Sequence, residues 1–372
     1  MIKNGDIAHR LLLPFIEETE ELLNSALSSL DSNATCRIVP APDLGFPHDV
    51  IRIAGGFPTG CLVEWNCSTP FIPIDTTVNI DTSSIFVLDQ DISSDIDAGL
   101  FEWLGQRFET SSYVFNFHKG NHFISFGRTA TADTPILVIH SNEKEFKYQY
   151  NGLMPGEDNW FADQVRVLRR NNRYIRYIVG DTANLFVDLA QSLELFNVVR
   201  HRFVAHLLTQ NRARILSQED HHHYYMPTRQ SVAIGCFPVA VGTRVPIFSR
   251  PGRNIAIFEP GNGGPNALGT SACGGSSVLV PHGWGKTCIE GTSFSVDYDR
   301  RLFELSGRTY DIKTLASLGK DERLQLRDFQ SNDANPNGFF EQIGDHCPGV
   351  VVDQIVQVAS FTKNGFERHR TT

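Results

Sequence analysis

Ile136-Leu-Val-Ile-His140 is a run of four apolar residues closed by a histidine, and the reading of this stretch decides the fold. Runs of the same kind recur upstream as Phe71-Ile-Pro-Ile74, Ile85-Phe-Val-Leu88 and Tyr113-Val-Phe-Asn-Phe117, each rich in Val, Ile and Phe and separated from the next by Gly, Asn, Asp and Thr. That texture, from Ile38 to Ile139, is the signature of sheet strands.

On either side of this block the period lengthens. Between Asp6 and Leu30 the residues Ile7, Leu11, Leu12, Phe15, Leu22, Leu23 and Leu27 fall at helical spacing, with Pro14 as an early interruption, so one amphipathic helix is expected after a short lead. From Asn159 to Asn211, Val165, Leu168, Ile175, Ile178, Leu185, Leu189, Leu193, Phe196, Val199 and Phe203 suggest one or two long helices, the second capped by Asp181-Thr182. After Arg229 strand-like pieces return, with loops at Gly261-Asn-Gly-Gly-Pro265, Gly274-Gly275 and Gly283-Trp-Gly285. Strands, a helical middle and strands again predict an α+β domain in which helices cover a sheet.

The bulk numbers narrow the function classes. The 372 residues are 41% hydrophobic and 20% charged, the composition of an ordinary globular protein. With 33 Lys and Arg against 42 Asp and Glu the net charge is -9, which excludes a broad cationic surface for duplex nucleic acid and leaves only local phosphate contacts. Seven scattered cysteines without a CxxC pair fit a reducing cytosol and no structural zinc knot. The sequence shows no apolar leader and no stretch of membrane length, so a cytoplasmic protein without membrane contact is expected.

Histidines carry the chemistry. His122 lies in Lys119-Gly-Asn-His-Phe123, His140 closes its strand, His221, His222 and His223 stand together in Glu219-Asp-His-His-His-Tyr224, and His282 heads Pro281-His-Gly-Trp-Gly-Lys286. Imidazole suits Mn, Fe, Zn and Ni, and a strand end aims it rigidly. The bland readings are a hydrogen-bonded strand-end residue for His140, a solvated loop for the triple run, and a structural turn at His282. At most one or two of three adjacent imidazoles can face one metal. Asp81, closing Thr77-Val-Asn-Ile80, is either a carboxylate completing a mixed site or a turn aspartate. Glycines after His282 let backbone approach a phosphate that Lys286 can neutralise.

Taken in order, these segments resemble the RtcB family, ligases of RNA splicing and repair that join RNA ends bearing a phosphate or cyclic phosphate to RNA with a free 5′-hydroxyl. The family's metal-binding stretch looks like Pro73-Ile-Asp-Thr-Thr-Val-Asn-Ile-Asp-Thr-Ser-Ser84. Its Gly-Asn-His-Phe is matched by Gly120 to Phe123, and its His-Ser-Gly-Ser-Arg is similar to His140-Ser-Asn-Glu-Lys144. Asp220 to Tyr224 stands for Asp-x-x-His-Asn, Phe248-Ser-Arg250-Pro-Gly252-Arg253 echoes a Pro-Gly-Ser-Met-Gly-Thr turn, and His282 to Lys286 looks like the nucleophile motif His-Gly-Ala-Gly-Arg. The likeness runs from about Phe57 to Lys286, with a fainter echo at Val352-Asp-Gln-Ile355.

The resemblance implies one α+β domain over residues 1–372 with central mixed sheets, covering helices and a metal-lined central cleft. An N-terminal helical lead would span 1–35, a helical insert 158–211 and a C-terminal segment 290–372. It implies metal ligation by Asp81, Ser84, His122, His140 and His223, with His222 as an alternative. It further implies nucleotide contacts by Asn121, Arg250, Gly252, Gly283, Gly285 and Lys286, phosphate contacts by Lys144 and Arg253, and guanylate carried on His282. The expected cofactors are one or two Mn²⁺, with Zn²⁺ or another divalent ion as alternatives, and GTP. The expected partners are RNA ends, and a monomer is expected.

Departures point at two other classes. Ser84 stands where the family has a bridging thiolate, Ser125 where an acid reads the guanine edge, and the chain ends His369-Arg-Thr-Thr372 instead of Lys-Gly. Lys144 and Lys286 replace arginines and lose bidentate phosphate geometry. A metal-dependent phosphodiesterase or cyclic phosphatase on RNA ends, or a degenerate RNA- or nucleotide-binding homologue, are therefore the rival expectations.

Overall fold

Eleven strands form one sheet through the middle of the molecule. Across it run Thr35–Gly45, Thr59–Asn66, Ser231–Ile234, Ile215–Thr228, Asp81–Leu88, Pro135–Ser141, Phe123–Thr129, Gly349–Thr362, Ile255–Pro260 and Val245–Ile247, with Gly365–Arg368 folded back onto Gly349–Thr362. The computed structural model describes residues 6–109, 115–117, 119–142, 152–248, 252–264, 267–270, 276–283, 285–313, 316–327 and 346–369.

Alternation along the strands explains why the sheet has two dry faces. In Pro135–Ser141, Ile136 and Val138 join one apolar layer while Leu137 and Ile139 join another, and Ile85 and Phe86 divide in the same way. Each such side chain gains about 1.5–3 kcal/mol from burial, and a slip of one residue would exchange the faces of the whole strand. On the front, strands Cys236–Ala240 and Ser276–Pro281 of a smaller sheet cover the apolar layer with Phe237, Val278 and Val280. On the back, Phe101, Leu104 and Phe108 of the helix Ala98–Glu109 and Val204, Ala205 and Leu208 of the helix Asp181–Thr209 cover it. The molecule is a single α+β domain. Every strand pairing among the described residues is antiparallel, which corrects the mixed sheets expected.

The N-terminal helix spans Ile7–Ser28, and Asp6 caps it by accepting from the His9 N–H. It runs through Pro14 because the cost of an interior proline, about 3 kcal/mol, is less than the burial of Leu12, Phe15, Ile16, Leu22, Leu23 and Leu27 returns. The expected helical insert is only half helical. Val165 ends a 3₁₀ turn at Ala162–Gln164, while Leu168, Ile175 and Ile178 belong to a hairpin of Arg166–Arg170 with Arg173–Val179, turned at Asn171, whose φ is 55°. Asp181 is the first helical residue and Gly180 the N-cap. The helix Ala98–Glu109 was not expected. Of the expected strand Tyr113–Phe117, Tyr113 and Val114 lie outside the described residues and Phe117 is in a turn. Among the described residues no helix is long and apolar enough to cross a membrane.

Candidate metal centre

Three adjacent strands of the large sheet deliver the centre. Asp81 opens its strand, His140 sits one residue before the end of the neighbouring one, and His223 lies within the other neighbour, Ile215–Thr228. One ligand atom from each of Asp81, His140 and His223 lies within 4.8 Å of the others, and all three residues are buried. The rings of His140 and His223 stack with centroids 5.2 Å apart. Two imidazoles and a carboxylate are a donor set for a first-row divalent cation.

The hydrogen bonds orient these donors. Ser83 Oγ lies 3.0 Å from His140 Nδ1, and the Asn121 amide nitrogen lies 3.3 Å from His140 Nε2. An imidazole that accepts from Asn121 at Nε2 carries its proton at Nδ1, toward Ser83 Oγ, and a cation ligated at Nε2 would take the place of the Asn121 amide there. His223 Nδ1 is buried with no hydrogen-bond partner among the described residues, the condition of a ligand atom awaiting a cation. Burial, with the neighbouring imidazoles adding to it, holds both His140 and His223 well below the ordinary histidine range, so both are neutral at pH 7 and ready to ligate.

His282 completes the front of the centre. Its ring stacks on His223 at 5.3 Å and meets Tyr224 edge-on at 5.8 Å. Asp43 Oδ2, fully buried, lies 3.0 Å from His282 Nδ1 and fixes the direction of the ring. Gly235 makes the room, because a Cβ there would stand 3.0 Å from His282 Cε1 and 2.8 Å from Tyr224 Oη. A β-bulge brings His223 and Tyr224 to the same place. Asp81 pairs with Tyr224 but Thr82 pairs with His222, so His223 is the additional residue, and both it and Tyr224 reach the His282 ring.

The other expected site residues divide. His122 flanks the triad, its ring 6.1 Å from that of His140 and its Nδ1 2.9 Å from the Asn116 carbonyl oxygen. Asn121 is beside His140, as given above. Ser84 and His222 are corrected, since both point to the back of the sheet. Ser84 Oγ bonds to His201 Nδ1 at 2.8 Å and to Asp220, and His222 Nδ1 lies 2.9 Å from Thr82 Oγ1. Alternation puts them there, one residue out of phase with Ser83 and His221.

The Lys286 ammonium, expected to contact nucleotide or phosphate, donates to the Gly319 carbonyl at 2.7 Å and the Leu318 carbonyl at 3.4 Å. Gly283, at φ 97°, is required by the close approach of the Phe248 backbone, and Gly285 by the Arg327 guanidinium. Gly252 packs on the His369 ring, and Arg253 is exposed with no ion pair among the described residues. Lys144 and Arg250 lie outside the described residues.

Sequence reasoning missed Asp43 and Ser83. Asp43 had one signal, an acid inside the apolar strand Val39-Pro-Ala-Pro-Asp-Leu-Gly-Phe46. Ser83 had none beyond its place two residues after Asp81. No protein-family model and no curated protein matches the chain.

Proposed function

We propose that this protein is a metal-dependent phosphoryl-transfer enzyme that joins RNA 3′-phosphate or 2′,3′-cyclic phosphate ends to 5′-hydroxyl ends through guanylated His282, the activity that the resemblance to RtcB ligases implies. The observation that carries this reading is the pairing of His282 with Asp43 on one side and its stacking against His223 of the triad on the other. A nucleophile needs a free lone pair, a fixed direction and nearby compensation for charge on the phosphate. Asp43 accepts the Nδ1 proton and leaves Nε2 as the lone-pair atom, and the buried carboxylate stabilises the positive charge the ring acquires when Nε2 bonds to phosphorus.

In that step the Nε2–P bond forms at the α-phosphorus of GTP and the bond to pyrophosphate breaks. In the next, an RNA terminal phosphate, formed by hydrolysis where the end is cyclic, takes the guanylate as the Nε2–P bond breaks, and the 5′-hydroxyl then attacks that phosphate and releases GMP. Asp81, His140 and His223 would hold a divalent cation, which would supply Lewis-acid charge to the phosphate oxygens. Arg253, exposed in the 252–254 turn, would be a donor for RNA phosphate, and Asn121, beside His140, would contact the nucleotide.

The test is a mass measurement on the full chain after incubation with GTP and Mn²⁺. A gain equal to one guanylate is expected, absent in His282→Ala and strongly reduced in Asp43→Asn. No adduct with Mn²⁺, Co²⁺ or Zn²⁺ overturns the ligase. A second reading, hydrolysis of a phosphodiester or cyclic phosphate by metal-activated water, is favoured by the orientation of Ser84, which leaves three close ligands for one ion. Release of a phosphate end without joining, insensitive to GTP, would select it.

A further inference from the structure

We propose that two buried side chains outside the candidate centre, Asn197 and Arg52, are positioning residues that set its geometry by gripping the chain neighbours of all three ligands; the inference rests on the metal-centre reading. Asn197 is fully buried in the middle of the helix Asp181–Thr209. Its two amide hydrogens go to two carbonyls, Ile80 at 3.2 Å and Ser141 at 3.2 Å. Ile80 precedes Asp81, and Ser141 follows His140. One amide therefore fixes the spacing of two ligands on adjacent strands. Its oxygen accepts from Arg200 at 2.8 Å, and the same Arg200 nitrogen donates to Ser141 Oγ and the Asn142 carbonyl, which fixes the amide's own orientation.

Arg52 grips the third ligand's neighbour. Its Nε donates to Thr77 Oγ1 at 2.7 Å, its Nη2 donates to the Thr77 carbonyl at 3.1 Å, and its guanidinium lies 4.8 Å from the centre of the Tyr224 ring. Tyr224 follows His223. The segment between the two grips is bent against its own preference, with Thr77 at φ 43° and Ile80 at φ 55°, left-handed conformations that β-branched residues avoid. Such a turn persists only where its surroundings over-determine it. Here the determinants are Arg52 at Thr77, Asn197 at the Ile80 carbonyl, and the Tyr224 carbonyl, which accepts from the Ile80 N–H at 2.6 Å. Without them the turn relaxes toward extended backbone and withdraws the Asp81 carboxylate from the two imidazoles.

Cobalt(II) reports ligand geometry through its visible absorption, so the full chain is titrated with cobalt alone. Asn197→Asp keeps the acceptor for Arg200 and removes the two donated hydrogens. Arg52→Lys keeps the charge and loses the paired contact with Thr77. Both variants are expected to weaken cobalt binding by about 10- to 100-fold, the usual effect of losing an outer support of a metal site, and to shift the visible bands while circular dichroism stays that of the parent. Parent affinity and parent bands in both variants overturn the inference and leave the metal centre standing, as does a fall in melting temperature with unaltered bands. Should Asn197→Asp not fold, Arg52→Lys decides on the same two readouts. A parent chain that takes up no cobalt overturns the centre itself and the inference with it.

Discussion

The two faces of the strands Asp81–Leu88 and Pro135–Ser141 carry the same residue types and use them oppositely. In front, Asp81, His140 and His223 turn their polar atoms toward one another, and a ring nitrogen of His223 is left without a hydrogen bond among the described residues. Behind, Ser84, His201 and Ser141 form a chain in which the His201 ring is bonded at both nitrogens, at 2.8 Å to Ser84 and 2.6 Å to Ser141. Satisfied polar groups hold a fold together, and unsatisfied ones of ligating type wait for something to bind. Alternation sends His140 to the front of these strands and Ser84 and Ser141 to the back, where His201 of the helix Asp181–Thr209 meets them.

The comparison breaks first at His223. Mn²⁺ at about 100 times its dissociation constant should stabilise the native chain by about 2.7 kcal/mol, and His223→Ala should lose the whole increment in urea unfolding with and without the ion. If the increment survives, the front face is not a metal site. Ser84→Ala strikes the back face instead. It strands His201 Nδ1 and should cost about 1–3 kcal/mol of stability, with metal content by mass spectrometry unchanged. A loss of metal in this variant would return Ser84 to the ligand set.

Acid sharpens the contrast. Burial holds His201 well below its ordinary value, so as pH falls through about 6.5 the unfolded chain takes up a proton that the folded chain refuses, and stability drops. This residue contributes a slope of at most about 1.4 kcal/mol per pH unit below that point. His201→Gln should flatten urea stability by that slope between about pH 6 and 5, and parallel curves for the two chains would contradict it. The smallest effect belongs to Lys286. Lys286→Ala should lower stability by about 1 kcal/mol through the lost bonds to Leu318 and Gly319 and leave GTP adduct formation alone. Unaltered stability with weakened adduct formation would instead give that amine a nucleotide to hold.

The strands and the histidines were legible in the sequence because both signals are local. Ile136 to His140 announces its own strand, and Gly120 to Phe123 its own turn. The hairpin Arg166–Arg170 with Arg173–Val179 was hidden because Val165, Leu168, Ile175 and Ile178 fit a helical period as well as a strand one, and only the tight turn at Asn171 separates the two. Within the candidate centre, side-chain direction was the illegible part. Ser84 sits three residues from Asp81, a spacing that fixes no face until the strand is known to begin at Asp81 and to alternate from there. Asp43 lies 239 positions from His282, Arg52 lies 25 from Thr77, and the bonds of Asn197 to Ile80 and Ser141 span 117 and 56 positions, distances over which sequence pattern carries no information about contact.

The bulge at His223 changes how the triple-histidine run is counted. Ahead of it odd-numbered residues face forward, His221 with Ser83; beyond it Tyr224 does, and Tyr225 turns back to meet the His222 ring at 5.5 Å. At this bulge the strand changes phase, His223 being the residue skipped between the pairs Asp81–Tyr224 and Thr82–His222. A chain shortened by a single residue in this run would recover simple alternation and could offer the site an imidazole or a phenol, never both side by side.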